Sequence, residues 1–590
     1  MDIWFLNDYQ RLQLERRNIN QLLETSAWLR SACWVIDDGK LAVNATIRSH
    51  QHDYKVVLVY PALFPEVPAF VLPADENERW SEHQYLNGTL CLEWGPDTWH
   101  PSVTGAQVLE SAFKLLDTEN PLGDGPRQTV PTRHRLSLGQ ELRSEYGRVF
   151  LTPSIQVRLE EAPLGSTIPI KFTWLNNDSS AVLLIHSLDQ SDGTVWTDDA
   201  IPKQLTSQNT CVGLFFKTEL PASEFTSVSD IASFVALLNE TQAEHAAAVI
   251  PTARHSLLVV SGAEETAHAF WHFLGEEDAS SLVKSSVIAS EIHDFASRLP
   301  PQLHLVTTKQ VGIVGVGSLG SKIAVSLCRS GVRDFLIVDP DVFLPGNIAR
   351  HELDWRNVGA HKVDAIKQRL EFIAPGVSVE TVKASLGGQE SSSFLSSVLS
   401  QLGQCDIIVD ATAEGRAFNL LAAVARRFAK PIIWMEVYAG GIGGFVARSR
   451  PGIDADPYLM RRHYHAFADK HADKELPVTL ENYGAVTDEG RPLQATDADV
   501  TVIAGHVTRL VLDTLVEGIS SIFPYSMYLI GLQKSWVFSA PFHTIPISDD
   551  TQLESENGDG VAAADINETL DFIRSLLEMT DDETHPSETD

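Results

Sequence analysis

Residues 311–320 read VGIVGVGSLG, and they are followed by FLIVDPD at 335–341, GNIAR at 346–350 and GAHK at 359–362. The apolar run Val311 to Val314 reads as a short buried strand. It feeds into Gly315, Gly317 and Gly320, and the residues after them, SKIAVSLCRSG, have helical periodicity. Strand, tight turn and helix in that order make a dinucleotide-binding unit. Its glycines permit a sharp turn and close approach of phosphate, and its helix N-terminus favours an anion. Asp339 closes the second apolar run, at about the spacing where an acid meets a ribose hydroxyl. Many nucleotide folds share this much, and the residues that follow distinguish them.

Asn347, Arg350 and Lys362 lie on a segment expected to return over the phosphates. A redox cofactor reacts at its nicotinamide ring and has no need of cations there. An enzyme that splits ATP between the α- and β-phosphates does, because charge builds on phosphoryl oxygens that fixed Arg and Lys groups stabilise. This set of residues resembles the ubiquitin-activating superfamily, including the ThiF and MoeB adenylyltransferases, in which a protein's C-terminal glycine is adenylated. The resemblance implies ATP and Mg2+ as cofactors. It places Gly315, Gly317 and Gly320 against the nucleotide, Asp339 on the ribose, and Asn347, Arg350 and Lys362 on the phosphates, the last two as catalytic groups. A plain NAD-binding domain and a degenerate nucleotide fold are the alternatives. The family carries an Asp-Asn pair after its fourth strand; in CDIIVDATAEGRAFN that pair falls on Ala413 and Glu414. Asp410, closing the strand IIVD, is the first choice for the nucleotide- and metal-facing carboxylate, since strand C-termini face the ligand in open α/β sheets. Glu414 is the other candidate, and Asp410 as a cap of the next helix is the structural alternative.

Far upstream, residues 55–72 read KVVLVYPALFPEVPAFVL: a strand, a proline-rich turn and a second strand. NGTLCLEWGPDTWHPS follows at 87–102, then the helical VLESAFKLLDTENP. This order resembles the ubiquitin-conjugating enzyme fold, matched at Tyr60, Pro61, Pro65, Pro68, Gly88, Cys91, Leu92, Trp99, Pro101, Asn120 and Pro121. The opening DYQRLQLERRNINQLLE supplies that fold's first helix. The resemblance makes Cys91 the catalytic nucleophile: a thiolate attacks an acyl-adenylate well and also leaves well. Taken alone, a Cys within TLCL reads as a small core residue. The family's His-Pro-Asn motif is replaced by His83, Gln84 and Tyr85. His83 or Asn87 is the expected group to polarise an acyl carbonyl, or else either simply finishes a turn. Asp124 is a further candidate for positioning an incoming lysine.

At 590 residues the chain calls for several domains. We read 1–150 as a ubiquitin-conjugating-like α+β domain, 151–300 as a folded connector, 301–545 as a Rossmann-like α/β adenylation domain and 546–590 as an acidic tail. Within the connector, IQVRLEE, IPIKFTWLNN, AVLLIHSL and SLLVVSG read as strands and SDIASFVALLNETQAEHAA as a helix. In the tail, INETLDFIRSLLEM has an amphipathic pattern. A net charge of −33 argues against a nucleic-acid surface. Five cysteines with no C-x-x-C pair argue against a disulfide framework and a zinc site. The HYH at 463–465 suggests a metal pair but fits a solvated helical face better. No leader and no membrane span are evident, so a soluble cytoplasmic protein without membrane contact is expected.

Both centres in one chain resemble bacterial fusions of activating and conjugating enzymes found in antiphage CBASS and ubiquitination-like operons. By that resemblance ATP and a protein C-terminal glycine give an acyl-AMP, and the acyl group passes through Cys91 to a target amine. The implied partners are a ubiquitin-like modifier or the C-terminus of a cGAS-like nucleotidyltransferase, a target protein and a second copy of the chain as a homodimer. The alternatives are a sulfur-carrier adenylyltransferase and a non-catalytic scaffold. No cysteine follows Cys405, so either the acyl-adenylate passes straight to Cys91 or a hydroxyl such as Thr487 or Thr496 relays it.

Overall fold

A computed structural model describes residues 3–548 except 76–77, 82, 86, 124–141, 178, 191, 208, 251–252, 264–266, 276–279, 290–297, 439, 472–477, 480–483, 487–489 and 491, and it also describes Ile573. Asp124, Thr487 and, apart from Ile573, the amphipathic tail segment lie outside the described residues. The chain forms two compact units, 1–143 and 144–590.

The first unit runs helix, four strands, a long irregular segment, helix. Helix α1 (Tyr9–Thr25) starts where the Asp8 carboxylate accepts the Arg11 amide, satisfying one of the orphan donors of a helix end. Strands β1 (Leu29–Asp37), β2 (Lys40–Ser49), β3 (His52–Tyr60) and β4 (Phe70–Pro73) pair consecutively and antiparallel. Along β3 the buried residues alternate (Tyr54, Val56, Leu58, Tyr60), as a half-covered sheet requires. Helix α2 (Gly105–Glu119) covers that face with Val108, Leu109, Ala112 and Leu116. Glu15 ties the layers together. It accepts from the Arg11 guanidinium (2.9 Å), the Tyr60 hydroxyl (2.9 Å) and the Gly105 amide (2.7 Å). Burial pushes its carboxyl up, while those donors pull it down. A Cβ on Gly105 would stand 2.0 Å from the Tyr60 hydroxyl, so only glycine lets α2 start there.

The second unit opens with a closed sheet. Strand β5 (Gly147–Leu151) leads into α3 (Pro153–Glu160), followed by β6 (Thr167–Asn177), β7 (Ser180–Asp189), β8 (Val195–Thr197) and β9 (Thr210–Lys217). Then come α4 (Ile231–Val235), α5 (Glu240–Val249), β10 (His255–Ser261), β11 (His268–Leu274) and β12 (Ser280–Ala289). The order is β5-β12-β11-β10-β9-β6-β7-β8, and β5 also pairs with β7, so the ring closes as a barrel. Two expectations are corrected here. IQVRLEE is helix rather than strand: Thr152 caps the Ile155 amide, Pro153 sits in the first turn, and Ile155 and Leu159 point to one core. SDIASFVALLNETQAEHAA is two helices, because Asn239 caps a second helix and so ends the continuity.

The larger of the two remaining sheets is doubly wound. It is built from β13 (Gln310–Val314), α6 (Ser318–Arg329), β14 (Asp334–Val338), α7 (Lys362–Ile373), β15 (Ser378–Val382), α8 (Ser392–Gln404), β16 (Ile407–Asp410), α9 (Gly415–Phe428), β17 (Ile432–Tyr438) and β18 (Gly443–Ser449). After these come α10 (Pro457–Lys470), α11 (Asp497–Val516), β19 (Met527–Gly531) and β20 (Thr544–Pro546). Spatially the strands run β15-β14-β13-β16-β17-β18-β19-β20, parallel as far as β17 and antiparallel beyond it. The chain order reverses at β13, which puts the crevice of an open α/β sheet above its C-terminal end. The strands flanking that crevice are buried on both faces, as the unbroken runs GIV, FLIV and IIV require. No described helix is long and apolar enough to cross a membrane.

Candidate functional site

Register places the first centre. Val314 pairs with Val338 on one side and with Asp410 on the other, so the turn at Gly315 is flanked by Asp339 and Asp410. Gly315 has φ +83, and a Cβ there would press on the backbone of Ala411 at 3.1 Å. A Cβ on Gly320 would stand 1.9 Å from the Gly315 carbonyl oxygen, so this glycine serves the packing of α6 on the turn. Nothing lies within 4 Å of a Cβ on Gly317. Its smallness answers no protein neighbour and leaves room for a group above the N-terminus of α6, where backbone amides favour an anion.

Asp339 is buried and braces the turn. One carboxylate oxygen accepts the Val316 amide (2.8 Å) and the other the Asp341 amide (2.9 Å). Burial pushes its carboxyl up; the two amides and nearby Lys362 oppose that. A carboxylate offers about four acceptor positions, so two bonds leave capacity for ribose hydroxyls. Lys362 is the first residue of α7, and its ammonium pairs with Asp341 at 2.7 Å. Asn347 and Arg350 sit on a 3-10 turn, 345–350. Asn347 caps that turn, its oxygen accepting the Leu344 amide, and Arg350 donates to the Ala495 carbonyl.

Two residues of this centre were missed by the sequence reading. His351 is buried, with Nε2 2.8 Å from the Val316 carbonyl and Nδ1 accepting the Leu353 amide. That pattern fixes a neutral tautomer with the proton on Nε2, and burial pushes the ring's pKa down to about 4. His351 thus pins the Arg350 arm to the glycine turn. Lys322, also buried, pairs with Asp497 (2.7 Å) and Glu352 (3.5 Å), tying α6, the same arm and the start of α11 together. Their signal was position alone: one follows Arg350 directly, and the other lies one turn into α6.

Asp410 is 3% exposed, and one of its oxygens takes both the amide (3.1 Å) and the hydroxyl (2.6 Å) of Thr412. It does not cap the next helix, whose cap position is Glu414. Burial pushes its carboxyl up to about 6. Together with Glu414, Glu436 and Arg461 it lines a cleft of about 70 Å³, walled by Phe418, Trp434, Phe445 and Tyr464. A buried carboxylate whose ionised form is this disfavoured gains from a cation, and Mg2+ characteristically takes one or two protein carboxylates plus phosphate oxygens and water. Asp410 fits that role. The helix bearing HYH is not a wholly solvated face as expected, because His463 is buried. No cluster that could hold a metal through three or more His, Cys, Asp or Glu occurs among the described residues. Cys405 is buried under the sheet, and desolvation pushes its thiol up to about 12. Thr496 spends its hydroxyl on the Asp499 carboxylate (2.8 Å) as the cap of α11.

The second centre lies between β4 and α2. Cys91 donates its amide to the His83 carbonyl (2.7 Å), and Tyr85 donates its own to Thr89 (2.8 Å). With Gln84 paired to Leu90, these bonds make a hairpin whose turn is Asn87-Gly88. Gly88 has φ +88, and the Asn87 side chain accepts the Thr89 amide. Leu90 is buried; Cys91 is half-buried. The His83 ring stands 4.0 Å from the Glu119 carboxylate. The Trp99 indole donates to the Pro65 carbonyl (2.7 Å), joining the segment after Cys91 to the proline turn after β3.

Residues 291–479 match the ThiF family, and residues 167–283 match the domain described as observed between E2 and E1 domains. Strands β13 to β18 of the carboxy-terminal sheet lie within the stretch that is ThiF-like, and so E1-like. The chain is 27% identical over 441 residues to the uncharacterized protein y4qC of Sinorhizobium fredii, covering 67% of this chain and 70% of that one. It is 34% identical over 154 residues to the ATP-dependent ubiquitin transferase-like protein Cap2 of Enterobacter hormaechei, a quarter of each (25% and 25%). It is 29% identical over 157 residues to ubiquitin-like modifier-activating enzyme 5 of Drosophila grimshawi, 25% of this chain and 39% of that one. The chain thus spans well under two thirds of the length of the last two. Among solved structures, PaaA is similar at 20% identity and a TM-score of 0.32, covering 42% of this chain and 75% of PaaA.

Proposed function

We propose that this protein adenylates the C-terminal glycine of a partner protein with ATP and Mg2+ and passes the acyl group through Cys91 to an amine on a target. The observation that carries the first half is the turn at Gly315, open above Gly317 and flanked by Asp339, Lys362 and the His351-pinned Arg350 arm. Arg350 and Lys362 stabilise charge on the phosphates, and their present bonds to the Ala495 carbonyl and exposed Asp341 are of the kind an arriving phosphate displaces. Asn347 orders the arm that carries Arg350. Asp339 holds the ribose, and Asp410 holds Mg2+, which neutralises phosphate charge when bound.

The second half rests on Cys91 at the open end of its hairpin, in a unit with the order helix, four-stranded meander, active-site segment, helix. Support comes from the matched middle segment, whose own description sets it between an E2 and an E1 domain. The four-part division into 1–150, 151–300, 301–545 and 546–590 is the organisation we propose on the same grounds, with its first boundary drawn back to 143 because β5 is a strand of the barrel. Direct transfer to Cys91 is favoured, since the Thr496 hydroxyl is engaged in a helix cap and Cys405 is buried. The modifier is a ubiquitin-like protein or a nucleotidyltransferase tail, the cellular setting is cytoplasmic antiphage defence, and the working form is a homodimer.

Incubation with ATP, Mg2+ and ubiquitin-like proteins ending in free glycine tests the reading. The wild-type chain is expected to form a thiol-labile adduct that Cys91→Ala lacks. A thiol-resistant, base-labile adduct on Cys91→Ala would replace direct transfer with a hydroxyl relay.

A further inference from the structure

The hairpin around Cys91 decides which side chains can reach an acyl group held there. Its register sets Tyr85 opposite Thr89 and His83 opposite Cys91. Side chains alternate faces along each strand, so His83, Tyr85, Thr89 and Cys91 share one face, while Gln84 and Leu90 take the other. Diagonal neighbours on one face lie within reach of long side chains. Tyr85 stands diagonal to Cys91 on that shared face, within that reach. The ring is 47% exposed, so the hydroxyl fills no packing requirement of the core.

The two residues expected to polarise the carbonyl each make a contact that orients them. The Asn87 side-chain oxygen holds the Thr89 amide (3.2 Å), closing its own turn. The His83 ring stands against buried Glu119. An acyl group on Cys91 would carry its carbonyl oxygen on the carbon bonded to sulfur, on the face that Tyr85 shares. We propose that Tyr85 is the oxyanion donor of the Cys91 centre, its phenol hydrogen-bonding the carbonyl oxygen of a Cys91 thioester as an amine attacks. The inference rests on Cys91 being the acyl carrier. The neighbouring Cys91 thiol and burial, with Asp97 nearby, push the phenol's pKa up, so it keeps its proton at neutral pH.

In the step assisted, the amine nitrogen adds to the thioester carbonyl carbon and the C=O pair moves onto oxygen, which Tyr85 stabilises. The pair then returns, the C–S bond breaks, and Cys91 leaves as thiolate. The proton lost by the amine nitrogen restores the thiol, so the products are an amide and free Cys91. Tyr85 keeps its proton throughout.

The test acylates the full-length protein by exchange with a peptide mercaptoethanesulfonate thioester ending in Gly-Gly, which needs neither ATP nor the modifier. Discharge of the purified acyl-protein to free lysine is followed by mass. Tyr85→Phe removes only the hydroxyl. It is expected to lower the maximal discharge rate roughly a hundred- to a thousandfold, with the half-saturating lysine concentration unchanged. Discharge at the wild-type rate overturns the proposal. A rate restored by saturating lysine also overturns it, since that would make Tyr85 a lysine-binding group. If Cys91→Ala takes up acyl as fully as wild type, the carrier reading itself fails, an outcome separate from a Tyr85→Phe protein that loads at Cys91 and discharges normally.

Discussion

Asp410→Asn is expected to make the nucleotide-free protein more stable while abolishing its chemistry. The Asp410 carboxyl is pushed from 3.8 to about 6, chiefly by burial, with the Thr412 hydroxyl and amide opposing. Between those values the folded protein keeps a proton that the unfolded chain has released. Stability therefore falls as pH rises through that window, and the cost is complete above about pH 6. The gap corresponds to roughly 3 kcal/mol at neutral pH. Asparagine retains an acceptor for Thr412 and carries no charge, so it escapes the penalty, less whatever its amide hydrogens lose by burial, about 1–3 kcal/mol. A net gain of about 0–2 kcal/mol is expected near pH 8, turning into a net loss near pH 4, where the carboxyl penalty has nearly vanished. The assay is thermal unfolding with chelator present, read in the transition that ATP shifts. Wild-type and variant midpoints that run parallel from acid to neutral pH would refute the reasoning.

Arg350→Ala and Lys362→Ala should each lower ATP–pyrophosphate exchange by about 2–4 kcal/mol of transition-state stabilisation; exchange untouched by both would move the active site elsewhere. Gly320→Ala should unfold the turn, because its methyl would meet the Gly315 carbonyl at 1.9 Å, whereas Gly317→Ala should fold normally and lose ATP affinity; circular dichroism and nucleotide titration separate the two. His351 ionises near 4 when folded and near 6.5 when unfolded, so it subtracts stability as pH falls below about 6.5. His351→Gln should flatten that acid limb in unfolding curves measured across pH.

The doubly wound sheet was legible because its glycines, its acid and its buried runs each answer a strict geometric demand. The turn's positive φ and the 1.9 Å approach at Gly320 admit little else. Register then carried Asp339 and Asp410 to either side of that turn. Side chains set by tertiary packing were not legible. His351 looks like any histidine until the Val316 carbonyl lies over it, and Lys322 looks like a solvated helix position until Asp497 arrives from far along the chain. IQVRLEE misled because its β-branched residues suit a strand, while the deciding features were a threonine cap and a proline just before it. At Cys91 the hairpin register, which sequence does not display, sets Tyr85 on the same face as the thiol.

The central claim is that two separate centres act in succession, adenylation first and Cys91 second. ATP–pyrophosphate exchange, measured side by side for the wild-type and Cys91→Ala proteins with a ubiquitin-like protein ending in free glycine, tests it most directly. The account predicts equal, Mg2+-dependent exchange in both, lost when that glycine is amidated. Exchange that disappears with Cys91, or persists with the blocked C-terminus, would contradict it.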